Sequence, residues 1–138
     1  MQVQWTPDLA VGVKEIDNQH KELFKRVNSL LEAVSTGKGK DEITRVVTFL
    51  GEYAVTHFQT EENFMTHYGY INYGAHKSEH LIFARDFARI KGDLENGVTS
   101  MSVILVQKKI LAWLTNHIGK TDKALGTFWI SVQKKKAA

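Results

Sequence analysis

Five of the six histidines, one glutamate and one aspartate stand at spacings that suit a metal site. Three short groups carry most of them: His57-Phe58-Gln59-Thr60-Glu61, His76-Lys77-Ser78-Glu79-His80 and His117-Ile118-Gly119-Lys120-Thr121-Asp122, with His20 alone upstream. Residues four apart lie on one face of a helix, so His57/Glu61 and His76/His80 each present two ligands in one direction. Imidazole with carboxylate suits a borderline transition metal such as iron. The chain has no cysteine, so thiolate zinc sites, iron–sulfur clusters and disulfides are excluded together. The same imidazole-rich set would also accept zinc, manganese or cobalt. Asp122 fits less simply. Five residues after His117 in a straight helix, it points about 140° away. It joins the same site only if the helix ends or loosens between them, and Gly119 is a residue able to leave the helical backbone.

The elements that must position these groups are four amphipathic helices, expected near 18–36, 41–66, 72–95 and 100–119, with a short C-terminal segment over 122–133. Asp17 is the expected N-cap of the first, whose inner stripe runs His20, Leu23, Val27, Leu30 or Leu31 and Val34. Gly37-Lys38-Gly39-Lys40 ends it, and Asp41 is the expected cap of the second. That stripe reads Ile43, Val46, Leu50, Ala54, His57, Glu61 and Met65. Residues 67–72 read as a connection, with His67 an exposed loop histidine. The third stripe is His76, His80, Phe83, Phe87, Ile90 and Leu94, closed by Glu95-Asn96-Gly97; the fourth is Val103, Val106, Ile110, Trp113 and His117. Short connections favour an all-α, antiparallel up-down-up-down four-helix bundle with an N-terminal arm, formed by the whole of 1–138 as one domain. His20, His57, Glu61, His76, His80 and His117 all replace apolar residues in the inward stripes. One inward histidine is ordinarily hydrogen-bonded core. A carboxylate and five imidazoles buried without partners would cost on the order of several kcal/mol for each badly satisfied group, and a shared metal removes that cost.

At 138 residues the chain can bury roughly 70% of its unfolded surface. With 43% hydrophobic and 24% charged residues it is globular in composition. No apolar run is long enough for a transmembrane segment and no leader precedes Trp5, so a cytoplasmic location is expected. The net charge of +3 comes partly from Lys134-Lys135-Lys136, read as a solvated terminus, so no nucleic-acid partner is implied. Glu62 and Glu79 neighbour candidate ligands in sequence. A 100° offset between adjacent helix positions predicts surface placement for both.

Taken together, Trp5, Gly12-Val13, Ile16-Asp17-x-Gln19-His20, His57-x-x-x-Glu61, His76-x-x-x-His80 and Trp113-x-x-x-His117-x-x-x-x-Asp122 resemble the hemerythrin family in its single-domain bacterial form, the bacteriohemerythrins. The resemblance covers nearly the whole chain, and His67 matches no ligand position. It implies a non-haem di-iron centre in the bundle core. His76, His80 and His117 would bind one iron, and His20 and His57 the other. Glu61, Asp122 and an oxo or hydroxo group would bridge them. The first iron is then coordinatively full, and the second keeps one position at which dioxygen binds reversibly. Leu23, Phe58, Trp113, Leu114 and Ile118 resemble the apolar oxygen pocket of the family. The implied role is oxygen storage, transport or delivery to an oxygen-consuming oxidase by a monomer, not an enzyme. The alternatives are oxygen or redox sensing through a separate partner, and slow di-iron oxidase or peroxidase activity. Against the latter, no Glu-x-x-His pair occurs in the chain, and five histidines to two acids is the reverse of ferritin-like sites.

Overall fold

The computed structural model describes residues 3–137, with the Val103 side chain, one of the residues expected in the fourth stripe, outside the described ones. An irregular arm with a single 3-10 turn, Pro7–Leu9, leads into α1 (Lys14–Ser35), α2 (Lys40–Tyr68), α3 (Tyr73–Glu95) and α4 (Ser100–Trp113). A π-helical segment, Leu114–Asp122, continues α4 without a break into α5 (Lys123–Ala137). Among the described residues there is no strand.

The helices begin earlier than their acidic residues suggest. Val13 precedes the first turn of α1 and Gly39 that of α2, so neither Asp17 nor Asp41 is an N-cap. Asp17 instead accepts hydrogen bonds from the backbone N–H groups of Val11 (2.8 Å) and Gly12 (3.2 Å), tying the arm to the first turn of α1. Gly12 takes the left-handed backbone (φ 88°) that this reversal needs. α2 runs to Tyr68, which shortens the expected connection and puts His67 in the last helical turn, still exposed. Gly69 ends it in the left-handed conformation (φ 69°), its N–H returning to Met65 and Thr66 carbonyls. α4 starts on a capping box: Thr99 Oγ accepts from the Ser102 backbone, and Ser102 Oγ from that of Thr99.

α1 packs on α2 and α4, and α3 on α2 and α4, which closes an antiparallel up-down-up-down bundle. Its interior has two apolar clusters. The larger contains Leu23, Val27, Leu50, Phe58, Ile110, Leu114 and Ile118; the smaller contains Val11, Ile16, Met65, Tyr70 and Leu125. Each helix passes from one to the other through a polar residue: Ile16 then His20 then Leu23 in α1, and Phe58 then Glu61 then Met65 in α2. The candidate ligands therefore form a polar layer between two dry ones. α5 closes the far end. Phe128 meets Tyr70 (ring centroids 4.8 Å apart), and Trp129 meets Phe64 and Tyr68 (5.2 Å each). Gly126 lies so close to the arm that a Cβ there would meet the Val11 backbone at 2.8–2.9 Å. Among the described residues no helix is long and apolar enough to cross a membrane.

Candidate metal centre

The seven residues singled out by type and spacing converge in the polar layer. His20, His57, Glu61 and Asp122 are wholly buried, and His76, His80 and His117 are no more than 2% exposed. Their ligand atoms sort into two overlapping groups that could each hold a metal ion: Glu61, His76, His80 and His117, and His20, His57, Glu61 and Asp122. Within each, the atoms lie within 4.8 Å of one another. Asp122 faces both sides. Its Oδ2 is 2.9 Å from His20 Nε2, while its Oδ1 is 3.0 Å from His76 Nε2 and 3.4 Å from His117 Nε2. Glu61 Oε1 lies 3.0 Å from His80 and 3.4 Å from His76, and its Oε2 is 3.5 Å from His20.

These approaches are short, yet most lack hydrogen-bond angles. His20 Nε2, His57 Nε2, His76 Nε2, Glu61 Oε2 and both Asp122 oxygens are buried without a hydrogen-bond partner. Buried polar atoms are normally paired, and each orphan costs about 1–3 kcal/mol. Buried ligand atoms without partners, gathered into two close groups, are what a cation would satisfy, so the donor set fits a pair of metals.

Asp122 arrives by a route the sequence only half suggests. Of the two routes read from the sequence, an end or a loosening, the helix takes the second: it continues through Gly119 and widens. Over Leu114–Asp122 the backbone is π-helical, in which residue i+5 takes the bonding position that i+4 holds in an α-helix. His117 and Asp122, five apart, thus share a face just as His57 and Glu61 do four apart.

The electrostatics of the metal-free chain follow from packing acids among imidazoles. Burial pushes the His20 pKa down, but contact with Asp122 and Glu61 outweighs it and raises it to about 10. The same balance raises His76 to about 9, and His117 is raised as well. His57 is the exception: burial dominates and, with the repulsion of His20, holds it down to about 4. Burial opposes ionisation of Glu61 and Asp122, but the surrounding imidazoles hold Glu61 well below, and Asp122 below, the usual carboxylate range.

Around this layer lies a ring of partners for the outward imidazole nitrogens. His57 Nδ1 donates to Gln19 Oε1 (2.8 Å), His80 Nδ1 to Glu62 Oε2 (2.9 Å) and His117 Nδ1 to Glu79 Oε1 (2.9 Å). The expected surface placement holds for Glu79, 43% exposed, and less well for Glu62, 17% exposed, yet each carboxylate also reaches a buried histidine, which the sequence reading did not anticipate. A residue 100° from an inward position is at the flank of its helix, and in a bundle that flank faces the ring edge of the neighbouring helix's histidine. Gln19, quoted in the motif that carries the resemblance but not among the candidate site residues, acts likewise. His20 and His76 have no partner at Nδ1.

The five apolar residues divide. Phe58 lies 4.0 Å from His80, 6.1 Å from His57 and 6.2 Å from His117 between ring centroids, and Trp113 stacks on His117 at 4.9 Å. Trp113 therefore lies beside the three-histidine group. Leu23, Leu114 and Ile118 are buried in the larger cluster beside the layer.

Residues 11–129 match the family model described as the hemerythrin HHE cation binding domain. The chain is similar to the bacteriohemerythrin of Methylococcus capsulatus, 33% identical over 123 residues that cover 88% of this chain and 92% of that one. It is 34% identical over 119 residues to that of Pseudomonas aeruginosa, covering 86% and 75%. Its fold is similar to the crystal structure of a wild-type hemerythrin, with a TM-score of 0.78 at 33% identity over 92% of this chain and 97% of that one. With two interleaved groups of buried imidazoles and carboxylates inside a four-helix bundle, the chain belongs to the hemerythrin family.

Proposed function

We propose that this protein binds dioxygen reversibly at a pair of iron ions, for storage, transport or delivery to an oxidase. His76, His80 and His117 would hold one iron, His20 and His57 the other, with Glu61 and Asp122 spanning both. The observation that carries this reading is the single shared layer in which Asp122 turns one oxygen to His20 and the other to His76 and His117. When bound, such a pair would supply two electrons that can be lent to dioxygen and taken back.

The protein's own part is to hold, orient and exclude. Gln19, Glu62 and Glu79 keep a proton on Nδ1 of their histidines, which leaves each Nε2 lone pair directed inward. Leu23, Leu114 and Ile118 make a dry wall, and keeping water out slows irreversible oxidation. Five neutral imidazoles to two carboxylates is a weakly anionic set. It favours returning dioxygen intact over cleaving it, which argues for a carrier rather than an oxidase. A monomer acting in the cytoplasm is the simplest setting for that role.

The test is iron per chain together with the visible spectrum as the reduced protein is cycled between argon and air. Two irons with a band that appears in air and fades under argon support the carrier. Two irons that oxidise once without return point to a redox sensor or a slow oxidase. An iron-free chain after reconstitution defeats the reading altogether.

A further inference from the structure

The two halves of the bundle repeat one local device outside the ligand layer. In the first half Gln19, directly before His20, accepts from His57 Nδ1 at 2.8 Å and donates through Nε2 to Thr60 Oγ at 3.0 Å. Thr60 directly precedes Glu61. In the second half Glu79, directly before His80, accepts from His117 Nδ1 at 2.9 Å and from the Thr121 hydroxyl at 2.8 and 3.0 Å. Thr121 directly precedes Asp122. In both halves a polar side chain from one helix joins, on the next helix, a histidine to the threonine that adjoins an inward acid. The halves differ in one respect: two residues separate His57 from Thr60, and three separate His117 from Thr121. The first turn is α-helical and the second is π-helical.

We propose that Glu79 and Thr121 are positioning residues that clasp the π-helical turn, so that His117 and Asp122 point into one site. The proposal rests on the metal-centre reading above. A π turn is a rare conformation, and the regular alternative would carry Asp122 about 140° from His117. Something outside the turn has to favour the wide register. Thr121 is next to Asp122, so fixing its hydroxyl on the flank facing α3 sets the angle at which Asp122 enters the bundle. The same carboxylate fixes the rotation of the His117 ring, so one side chain governs both ligands. Glu79 is 43% exposed and stands outside the buried layer, with its oxygens engaged by His117 and Thr121, which separates it from the ligands themselves.

Gln19 shows what the clasp requires. An amide accepts from the histidine through its oxygen and meets the threonine through its nitrogen, while Thr60 turns its own hydroxyl to the Thr56 carbonyl at 3.2 Å. Thr121 has the equivalent outlet in the Asn116 carbonyl at 3.5 Å. Glutamine should therefore replace Glu79 with little loss, whereas alanine should not.

The experiment is a Co2+ titration of the full-length, metal-stripped protein, followed by its visible ligand-field bands, with folding checked by circular dichroism. Thr121→Val and Glu79→Ala should each weaken Co2+ binding roughly tenfold to a hundredfold and alter the bands, the range typical of a lost partner behind a metal-binding histidine. Thr121→Ser and Glu79→Gln should restore the parent's affinity and bands. If Thr121→Val does not fold, the Glu79→Ala and Glu79→Gln pair decides. The clasp is overturned if Thr121→Val and Glu79→Ala match the parent while His117→Ala has lost Co2+, or if Thr121→Ser and Glu79→Gln fail to rescue. A His117→Ala protein that binds Co2+ like the parent overturns the metal-centre reading instead.

Discussion

The ring of Phe58 lies flat on that of His80, their centroids 4.0 Å apart and their planes 12° from parallel. Phe58 also meets Phe83 and Trp113 edge-on, at 5.5 and 5.7 Å, so one side chain fills the junction between the apolar cluster and the polar layer. Phe58→Ala removes a buried ring and the surface on which His80 rests. The expected loss is about 3–5 kcal/mol of stability in the metal-free protein. Urea unfolding measures it, and a loss below about 1 kcal/mol would show that the junction closes up around the gap.

His80 ties the layer together, with Glu61 at 3.0 Å, His117 at 3.2 Å and Glu62 at 2.9 Å. Its replacement by alanine should strip the metal from the three-histidine side and abolish reversible oxygen binding, and His76→Ala should do the same. Metal analysis and the spectrum in air are the readouts. Full iron content with an unchanged spectrum would sink the ligand assignment.

Leu114 begins the π segment, is 5% exposed, and lines a surface groove with Phe24, Leu111 and the arm residues Val3 and Leu9. It thus stands between solvent and the layer. Leu114→Ala should leave metal content intact and speed loss of the oxygen-binding form severalfold, followed as decay of the oxygenated spectrum in air. An unchanged rate removes Leu114 from the water-excluding wall.

Without metal, stability should peak near pH 6.5. His20 and His76 have folded values of about 10 and about 9 against an ordinary 6.5. Their contribution is complete below 6.5 and is lost as pH rises through those values. His57, held down to about 4, works the other way: between 6.5 and 4 the unfolded chain takes up a proton that the folded chain resists. Glu61 and Asp122, both held down, add to the loss on the acid side, below their ordinary 4.5 and 3.8. The urea midpoint of the metal-free chain against pH checks this, and a midpoint that climbs from pH 6.5 to 9 contradicts it. Bound metal replaces those protons and should flatten the alkaline limb.

The inward stripes and the acids within them are legible in the sequence because burial imposes a three-and-four period, and a polar residue on that period is conspicuous. Ile43 to Met65 in α2 falls where its pattern puts it, with every stripe residue buried. Four things are not fully legible. The start of α1 is misplaced because Asp17 looks like a cap but serves the arm, a contact outside its own helix. The contacts of Glu62 and Glu79 with buried histidines are hidden because helix geometry gives an angle without saying which neighbour lies there. The register between His117 and Asp122 depends on backbone hydrogen bonding, which no side-chain periodicity encodes. The C-terminal segment also extends further than its apolar residues suggest, with α5 reaching Ala137 through a run of lysines.

The wide turn in the fourth helix changes how the chain may be aligned with itself. Pairing the second helix with the fourth from their histidines and without a gap sets Lys120 against Thr60 and Thr121 against Glu61, so the acid at 122 drops out of register. One inserted residue restores it, and because the π backbone absorbs that residue as extra girth, helical phase carries on to Leu125 and Gly126 at their seat on Val11. For this chain, then, a single-residue gap after the fourth-helix histidine is a positive character to be scored, and its loss in a relative would signal a rebuilt site even where every histidine remains.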